Sequence, residues 1–555
     1  MIYRSKLPDI EIAEDDIFHF LFERPERRSH EDVEILVDAH SAKRMTAGQL
    51  REDSLRFAGG LRQLGAESGQ TIAMFASNDI DYPIAIFGSL AAGLTLMFAN
   101  PSYCNTIQQL YKSGARYFVT SPDTHSAALL GAKEVGIPES HVILMGLREQ
   151  DGVKPLCTDG YNTMQTLLSA QPISAPVRLT PAEAATRTAY ICYSSGTTDQ
   201  PKAIEWTHRN VIASIQHGYE ASNACTERSN ALDVHVCILP LCKPYALMSL
   251  LHAAALRRIC IVIMREFQLE SMLQIIQRHQ VTALCTTPRV CHMLVKDPLV
   301  DKYDLASLRR IACSASFIGL NMIEALRKRL SVTVLQGYGM TEAAGAILAN
   351  LNVDSSNSSS GYLLPNYEAK IIDAAGNDVP LGEAGELCVR SPSIMKGYLN
   401  DSVATAKAID ADGFLHTGDF VRIDANGRYY VTGRIKELIS YHHHKIVPSS
   451  LEALLQEHDA VVDAAVIGIH CTEQNTELPM AYVVLNPEYQ GRVTEQELVA
   501  YINSRVAEHE QLRGGVEFID AIPRLPAGKL LRRLLYEQHV SRQTQLKTST
   551  TSEQP

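Results

Sequence analysis

Two tandem blocks, in which β-rich and helical runs alternate, constrain the fold of this chain more than any other feature. In the first block, residues 71–77, 94–99, 115–120 and 141–145 are β-rich, with amphipathic or small-residue helical stretches between them. The second repeats the pattern at 235–240, 258–264, 281–286, 309–314 and 332–335. Strands joined by helix-length crossovers run parallel, so each block predicts a parallel sheet covered by helices. Between the blocks, 169–183 is rich in Ser, Ala and Pro and reads as a linking segment. A chain of 555 residues exceeds a single core. Two packed α/β subdomains account for these blocks.

After 355–361 (SSNSSSG), a low-complexity run expected to be an exposed loop, the pattern changes to hairpins. Turn-rich breaks at 373–376 and 424–427 make 362–432 a mostly antiparallel unit. A compact α/β piece begins at Lys436, with a helix after Pro448, strands at 464–469 and 480–485, and a helix over 495–507. The tail from 543 is rich in Ser, Thr and Gln and is expected to be disordered.

With 46% hydrophobic and 20% charged residues, the composition is that of an ordinary globular protein. A formal charge of −11, with no Lys/Arg-dense segment, argues against a nucleic-acid surface. The first residues are charged and broken by Pro8, unlike a signal peptide. The longest apolar stretch, 82–100, contains Gly88 and Gly93 and reads as a buried helix plus strand, so no membrane span is expected. The 12 cysteines are scattered without CxxC pairs, which suits reduced thiols. The chain ends Ser-Glu-Gln-Pro, which is not a peroxisomal tripeptide, and a cytoplasmic location is expected.

One loop carries chemistry. In YSSGTTDQPK, Ser194, Ser195, Thr197 and Thr198 crowd hydroxyls around Gly196, and Lys202 closes the run. The apolar run 189–192 before it predicts a strand end. Backbone N–H groups, hydroxyls and one cation are what a polyphosphate needs. Alone, such a loop reads equally as a solvated turn. Five further stretches follow in order: PLCKPYALMSL (240–250), QGYGMTE (336–342), HTGD (416–419), GRIKELI (433–439) and LPAGK (525–529).

Together the six stretches resemble the adenylate-forming superfamily of acyl-CoA synthetases, in its 4-coumarate:CoA ligase-like group, over about residues 7–535. That resemblance implies an N-terminal domain over 1–433 that binds AMP and the acyl substrate. It comprises two layered α/β subdomains plus a distorted β-barrel. A hinge at 434–436, a small mobile α+β domain over 437–540 and a disordered tail at 541–555 follow. The implied reaction joins a carboxylic acid to the α-phosphorus of ATP, releasing pyrophosphate. The small domain then swings, and a thiol, usually that of coenzyme A, displaces AMP.

The same resemblance assigns roles. Gly337 and Gly339 would let backbone approach adenine, against which Tyr338 offers a stacking face. Thr341 would bond the α-phosphate and Glu342 would hold Mg²⁺, which favours one or two carboxylates plus phosphate oxygens. Asp419 would grip the ribose hydroxyls beside Arg434, and Lys436 falls on the hinge. Lys529, on a Pro-Ala-Gly-Lys turn, would stabilise charge developing between carboxylate and α-phosphate. Lys243, Tyr245, Ser249, Ser314, Ala315 and Gly345 should line the acyl pocket, with room for an aryl or medium-chain group.

The sequence departs from the family pattern in three regions. Asp199 replaces a glycine of the phosphate loop, a position where Asp tolerates left-handed backbone better than most residues. Lys243 stands where the family has a histidine, and can pair with a second carboxylate or a polar head on the substrate, or point to solvent. In 440–445, Ser440 and His442 replace lysines and His443 replaces the glycine beside which pantetheine passes. Three consecutive histidines cannot converge on one metal ion from a strand, although His442 and His444 can share a face. Three functions therefore follow: an acid–thiol ligase making acyl-CoA, an adenylating enzyme serving a carrier-protein thiol or an amine, and a nucleotide-binding protein without turnover. Retention of Lys202, Thr341, Glu342, Asp419, Arg434 and Lys529 argues against the last.

Overall fold

The structure is a computed structural model that describes residues 1–41, 43–99, 106–146, 161–194, 201–224, 233–314, 318–351, 359–442, 444–471, 473–524 and 530–551. Both alternating blocks form sheets. The first is eight-stranded, and its parallel centre holds Thr71–Phe75 between Thr95–Phe98 and Ala115–Thr120. The second is nine-stranded. In its parallel run Val234–Cys237, Ala283–Thr286, Arg310–Cys313 and Thr333–Met340 lie side by side. Its far edge is built from the chain's beginning, with Glu34–Asp38 parallel to Cys260–Ile263.

Helices that cover these sheets are placed by burial. Tyr82–Ala91 is apolar all round and is wholly buried, as expected of a helix packed on both faces. Its neighbour Ala47–Gln63 starts in a reciprocal cap, in which Thr46 Oγ1 accepts from Gln49 N–H and the Gln49 side chain accepts from Thr46 N–H. Phe57, Phe87, Tyr190 and Trp206 lie in the one large core between the sheets.

The distorted barrel takes the form of five antiparallel strands, ordered Tyr3–Arg4, Glu368–Ile372, Ala384–Arg390, Leu415–Ile423 and Tyr429–Arg434. Both sequence-predicted turns are present: Gly376 and Gly427 have φ of 86° and 73°, and Asp424 Oδ1 accepts from the N–H groups of Asn426 and Arg428. The Ser-rich run departs from expectation at its end. Ser359 and Ser360 are buried, because Ser360 N–H donates to the Tyr429 carbonyl and seats this end on the sheet.

The carboxyl-terminal part has its own core, in which Leu451, Leu455, Val466, Leu498 and Ile502 pack together. It comprises the hairpin Ile439–Tyr441/His444–Ile446, a sheet of Val461–Cys471, Thr476–Leu485 and Gly515–Phe518, and three helices. The last helix, Arg532–Thr551, corrects the expectation of a disordered tail from 541. Leu535 anchors it in a buried cluster, and Gln, Leu and Lys downstream are good helix formers. Lys296 Nζ donates to the Val461 carbonyl (2.9 Å) and Ser449 Oγ to the Thr432 carbonyl (2.8 Å), docking this part on the rest. Among the described residues, no helix is long and apolar enough to cross a membrane.

Candidate active site

A cavity of about 1540 Å³ opens where the second sheet, the antiparallel sheet and the carboxyl-terminal part meet. Carboxyl ends of parallel strands are the usual site of ligand binding in such sheets, and Ser314 and Gly337–Thr341 line it there.

Thr188–Tyr193 turns back into antiparallel Ala203–Thr207, so the hydroxyl-rich loop spans a hairpin. Its neck is closed by Ser194 N–H donating to the Lys202 carbonyl (3.1 Å) and Lys202 N–H donating to Ser194 Oγ (3.2 Å). Ser195, Gly196, Thr197, Thr198 and Asp199 lie outside the described residues, as do Ala315, His443 and Lys529. Arg524 and Leu530, the described residues on either side of 525–529, both line the cavity.

Sequence reasoning missed Tyr398, which links Lys202 to Glu342. Lys202 Nζ lies 4.7 Å from the centre of its ring, and its hydroxyl donates to Glu342 Oε1 (3.2 Å). Burial and the neighbouring Glu342 charge push the Tyr398 phenol up, so it stays protonated as a donor. A tyrosine at the end of a two-residue strand gives no charge or spacing signal. Thr341 and Glu342 sit on a single 3₁₀ turn pinned from both sides. Trp206 Nε1 donates to the Thr341 carbonyl (2.8 Å), and the Glu342 carbonyl accepts from Met395 N–H (2.8 Å).

Gly337 and Gly339 serve strand packing as well as open space. A Cβ on Gly339 would lie 2.2 Å from the Gly345 carbonyl oxygen on the neighbouring strand. Gly345 itself has φ of 135°, a conformation that side chains avoid. Asp419 is buried behind the wall that Gly418 and Arg434 form, and it accepts a hydrogen bond from the Tyr338 hydroxyl. Burial and the Asp419 charge hold the Tyr338 phenol well above its ordinary value. Arg434 Nε lies 3.5 Å from Asp419 Oδ1, across paired strands.

Where the sequence predicts the acyl pocket, Lys243 precedes a short helix, Pro244–Ala246, which runs into a π-helical turn over Leu247–His252. Lys243, Tyr245 and Ser249 all line the cavity, with Ser314 and Gly345. The Tyr245 hydroxyl donates to the Ala312 carbonyl (2.8 Å), and Ser314 Oγ donates to the Gly337 carbonyl (3.1 Å). His252 fixes the π-turn: Nδ1 bonds the Leu247 carbonyl (2.7 Å) and Nε2 the Tyr190 hydroxyl (2.9 Å). Lys436 reaches the cavity wall from the turn Ile435–Glu437. Ser440 and His442 do not line it. Their N–H groups donate to Glu477 Oε2 and Thr476 Oγ1, both at 2.6 Å.

Comparison with known proteins matches residues 22–399 to the model of AMP-binding enzymes and 450–529 to that of the AMP-binding enzyme C-terminal domain. The chain belongs to the AMP-binding enzyme family. It is 33% identical over 543 residues to a 4-coumarate–CoA ligase of Pinus taeda, with 96% of each chain covered. It is 32% identical over 546 residues to 4-coumarate–CoA ligase 1 of Petroselinum crispum, again with 96% of each covered. The fold is that of ATP-bound MatB from Rhodopseudomonas palustris, at TM-score 0.82 and 21% identity, covering 94% of this chain and 98% of that one. The large amino-terminal and small carboxyl-terminal parts of the adenylate-forming fold are both present.

Proposed function

We propose that this enzyme is an acid–thiol ligase that activates an aryl or medium-chain carboxylic acid with ATP and transfers the acyl group to coenzyme A. In the first step a carboxylate oxygen attacks the α-phosphorus and pyrophosphate leaves. In the second, the thiol sulfur attacks the acyl carbon, its proton is lost to solvent, and AMP leaves. The observation that carries this reading is a single cavity bordered by Lys202, Thr341, Glu342, Arg434, Lys436 and the flanks of the Lys529 turn. Similarity to 4-coumarate–CoA ligases over nearly the whole chain supports coenzyme A as acceptor.

In this reading Ser194 and Lys202 anchor the loop that meets the triphosphate, and Thr341 bonds the α-phosphate. Asp419 and Arg434 hold the ribose, for which the Tyr338 hydroxyl must release Asp419 Oδ2. The donor set fits magnesium. Glu342 is one carboxylate on the cavity wall, and a hard cation takes its other oxygens from phosphates and water. When bound, the ion would neutralise charge on the phosphates. The boundaries fall at 433 and 437, on either side of the Lys436 turn, with the small part closing over the cavity from 437 to 540. Nine described cysteines are free thiols, which supports a reducing compartment such as the cytoplasm.

The test is acid-dependent exchange of pyrophosphate into ATP over a panel of aryl and medium-chain acids, followed by addition of coenzyme A. Exchange with at least one acid and a thioester product are expected. Absence of exchange across the panel would refute ligation, whereas exchange without thioester would redirect the acyl group to a carrier thiol or an amine.

A further inference from the structure

The acyl side of the cavity continues well past the residues expected to line it. Along the helix His208–Ala224 the wall runs from Ser214, whose Oγ donates to the Ala344 carbonyl beside Gly345, to Ser222. Eight residues of helix span about 12 Å. On the opposite wall Ala312 and Cys285 give way, two residues deeper on the same strand faces, to Arg310 and Ala283. An extended chain advances about 1.2 Å per bond, so roughly ten bonds separate the mouth from the end.

That end is polar, and among its described residues guanidiniums outnumber carboxylates. His235 is in register with Ala283, which is in register with Arg310, so all three share one row of the sheet. Arg310 and Arg309 both bind Asp233, through Oδ2 (2.6 Å) and Oδ1 (2.7 Å), so one fully buried carboxylate serves two guanidiniums. Arg257 donates to Ser222 Oγ (2.6 Å) and forms no ion pair among the described residues. His235 lines the tunnel, and neither of its ring nitrogens has a hydrogen-bond partner among the described residues. Burial lowers its pKa to about 4, so the neutral ring can donate one bond and accept another. A half-turn of the ring exchanges its nitrogens with its carbons, and so offers them to either side. Buried polar groups are almost always paired, and a tunnel meant for a plain hydrocarbon end would close with apolar side chains.

We propose that this end wall, Arg257 with His235 and Arg310, recognises a second carboxylate, so that the preferred acid is a medium-chain dicarboxylate activated at its other end. The inference deepens the ligase reading and rests on it for the orientation of the acid. It also separates two cations of the pocket. Lys243 lies near the mouth and would meet a short diacid, whereas only a chain of about ten carbons reaches Arg257.

Binding constants and pyrophosphate-exchange kcat/KM for decanedioic, 10-hydroxydecanoic and decanoic acids test this. The diacid should exceed decanoic acid about ten- to a hundredfold in both measures, the range of a charge-assisted hydrogen bond gained, with the hydroxy acid between them. Arg257→Met and, independently, His235→Leu should bring the ratio toward one, and Arg257→Lys should keep part of it. A ratio near one in the wild type, or one preserved in both the Met and Leu variants, overturns the proposal. So does a hydroxy acid that surpasses the diacid. If hexanedioic acid is favoured over hexanoic acid by the same factor, the selecting cation is at the mouth, and the end-wall site is refuted. Selective binding of decanedioic acid with no exchange would refute the ligase reading and leave the end-wall site standing.

Discussion

Glu342, Tyr398 and Lys202 show what single residues contribute here. Glu342 lines the cavity and accepts a bond from Tyr398, whose ring faces the Lys202 ammonium. Glu342→Gln keeps the shape and removes the charge, so kcat/KM should fall about a hundred- to a thousandfold. The magnesium titration should shift to higher concentration while the melting temperature stays near that of the wild type, and an unshifted titration would remove Glu342 from metal binding. A different residue-scale property is acid sensitivity. His208 and His252 are fully buried, and burial lowers each pKa to about 4. Unfolding frees both rings to take a proton below about 6.5, whereas the native rings stay neutral down to about 4. The unfolded state therefore binds more protons in that window, and stability is complete above pH 6.5 and falls toward pH 4, by up to about 3 kcal/mol per ring. Urea midpoints at pH 7 and 5 should differ accordingly, and equal midpoints would contradict neutral buried rings. Glu342 stood out in the sequence only through the resemblance that QGYGMTE carries, while His252 and Tyr398 act through burial and a neighbour, which no local pattern records.

Elements were legible where periodicity was long. The parallel strands of both blocks fall within a few residues of their expected places because each alternates with a helix-length run. Tyr3–Arg4 was not, since two residues carry no period, yet they extend the antiparallel sheet by pairing with Ala369 and Glu368. The π-helical turn at Leu247–His252 was equally hidden, because it depends on the His252 side chain reaching the Leu247 carbonyl five residues earlier. In the strand Thr333–Met340, the glycine pattern was read as access for a flat ring, and the register adds a second cause. A methyl group on Gly339 would meet the backbone of Gly345, which cannot swing aside as a long side chain could. Gly339→Ala should therefore separate these two strands, cost about 1–3 kcal/mol, and lower adenylation by displacing Thr341 and Glu342. Unfolding curves and pyrophosphate exchange measured on the same preparation check both effects, and a fully active, fully stable Ala variant would mean that the strand yields freely.

At the scale of the whole molecule, the proposed ligation assigns the arrangement of the carboxyl-terminal part to one of its two half-reactions. Arg524 and Leu530, on either side of the Lys529 turn, line the cavity, while the hairpin of Ser440 and His442 stays away from it and is held by Glu477 and Thr476. In the proposed reaction this disposition serves adenylation. Thioester formation requires the hairpin to approach, which the sequence could indicate only through the resemblance, because a hinge leaves no periodic trace. Lys296 holds the observed arrangement: its side chain remains exposed to solvent, partial desolvation lowers its pKa, and its ammonium donates to the carbonyls of Val461 (2.9 Å) and Gln456 (3.4 Å) across the junction. A charge-assisted bond to a carbonyl of this kind is worth about 1.5–3 kcal/mol. If it forms in this arrangement alone, Lys296→Met should shift the population away from it by a corresponding factor of roughly ten to a hundred. Pyrophosphate exchange should then fall, while thioester formation from pre-made acyl-adenylate should hold or rise. Lys529→Ala provides the contrast, because it should abolish exchange by removing charge from the transition state without altering the balance of arrangements. The two variants therefore separate position from chemistry. The Met variant should regain exchange at saturating ATP and acid, since ligands that bind the adenylating arrangement restore its population, and the Ala variant should not. Equal losses in both half-reactions for Lys296→Met would mean that its contact persists in both arrangements, and the junction would then serve stability alone.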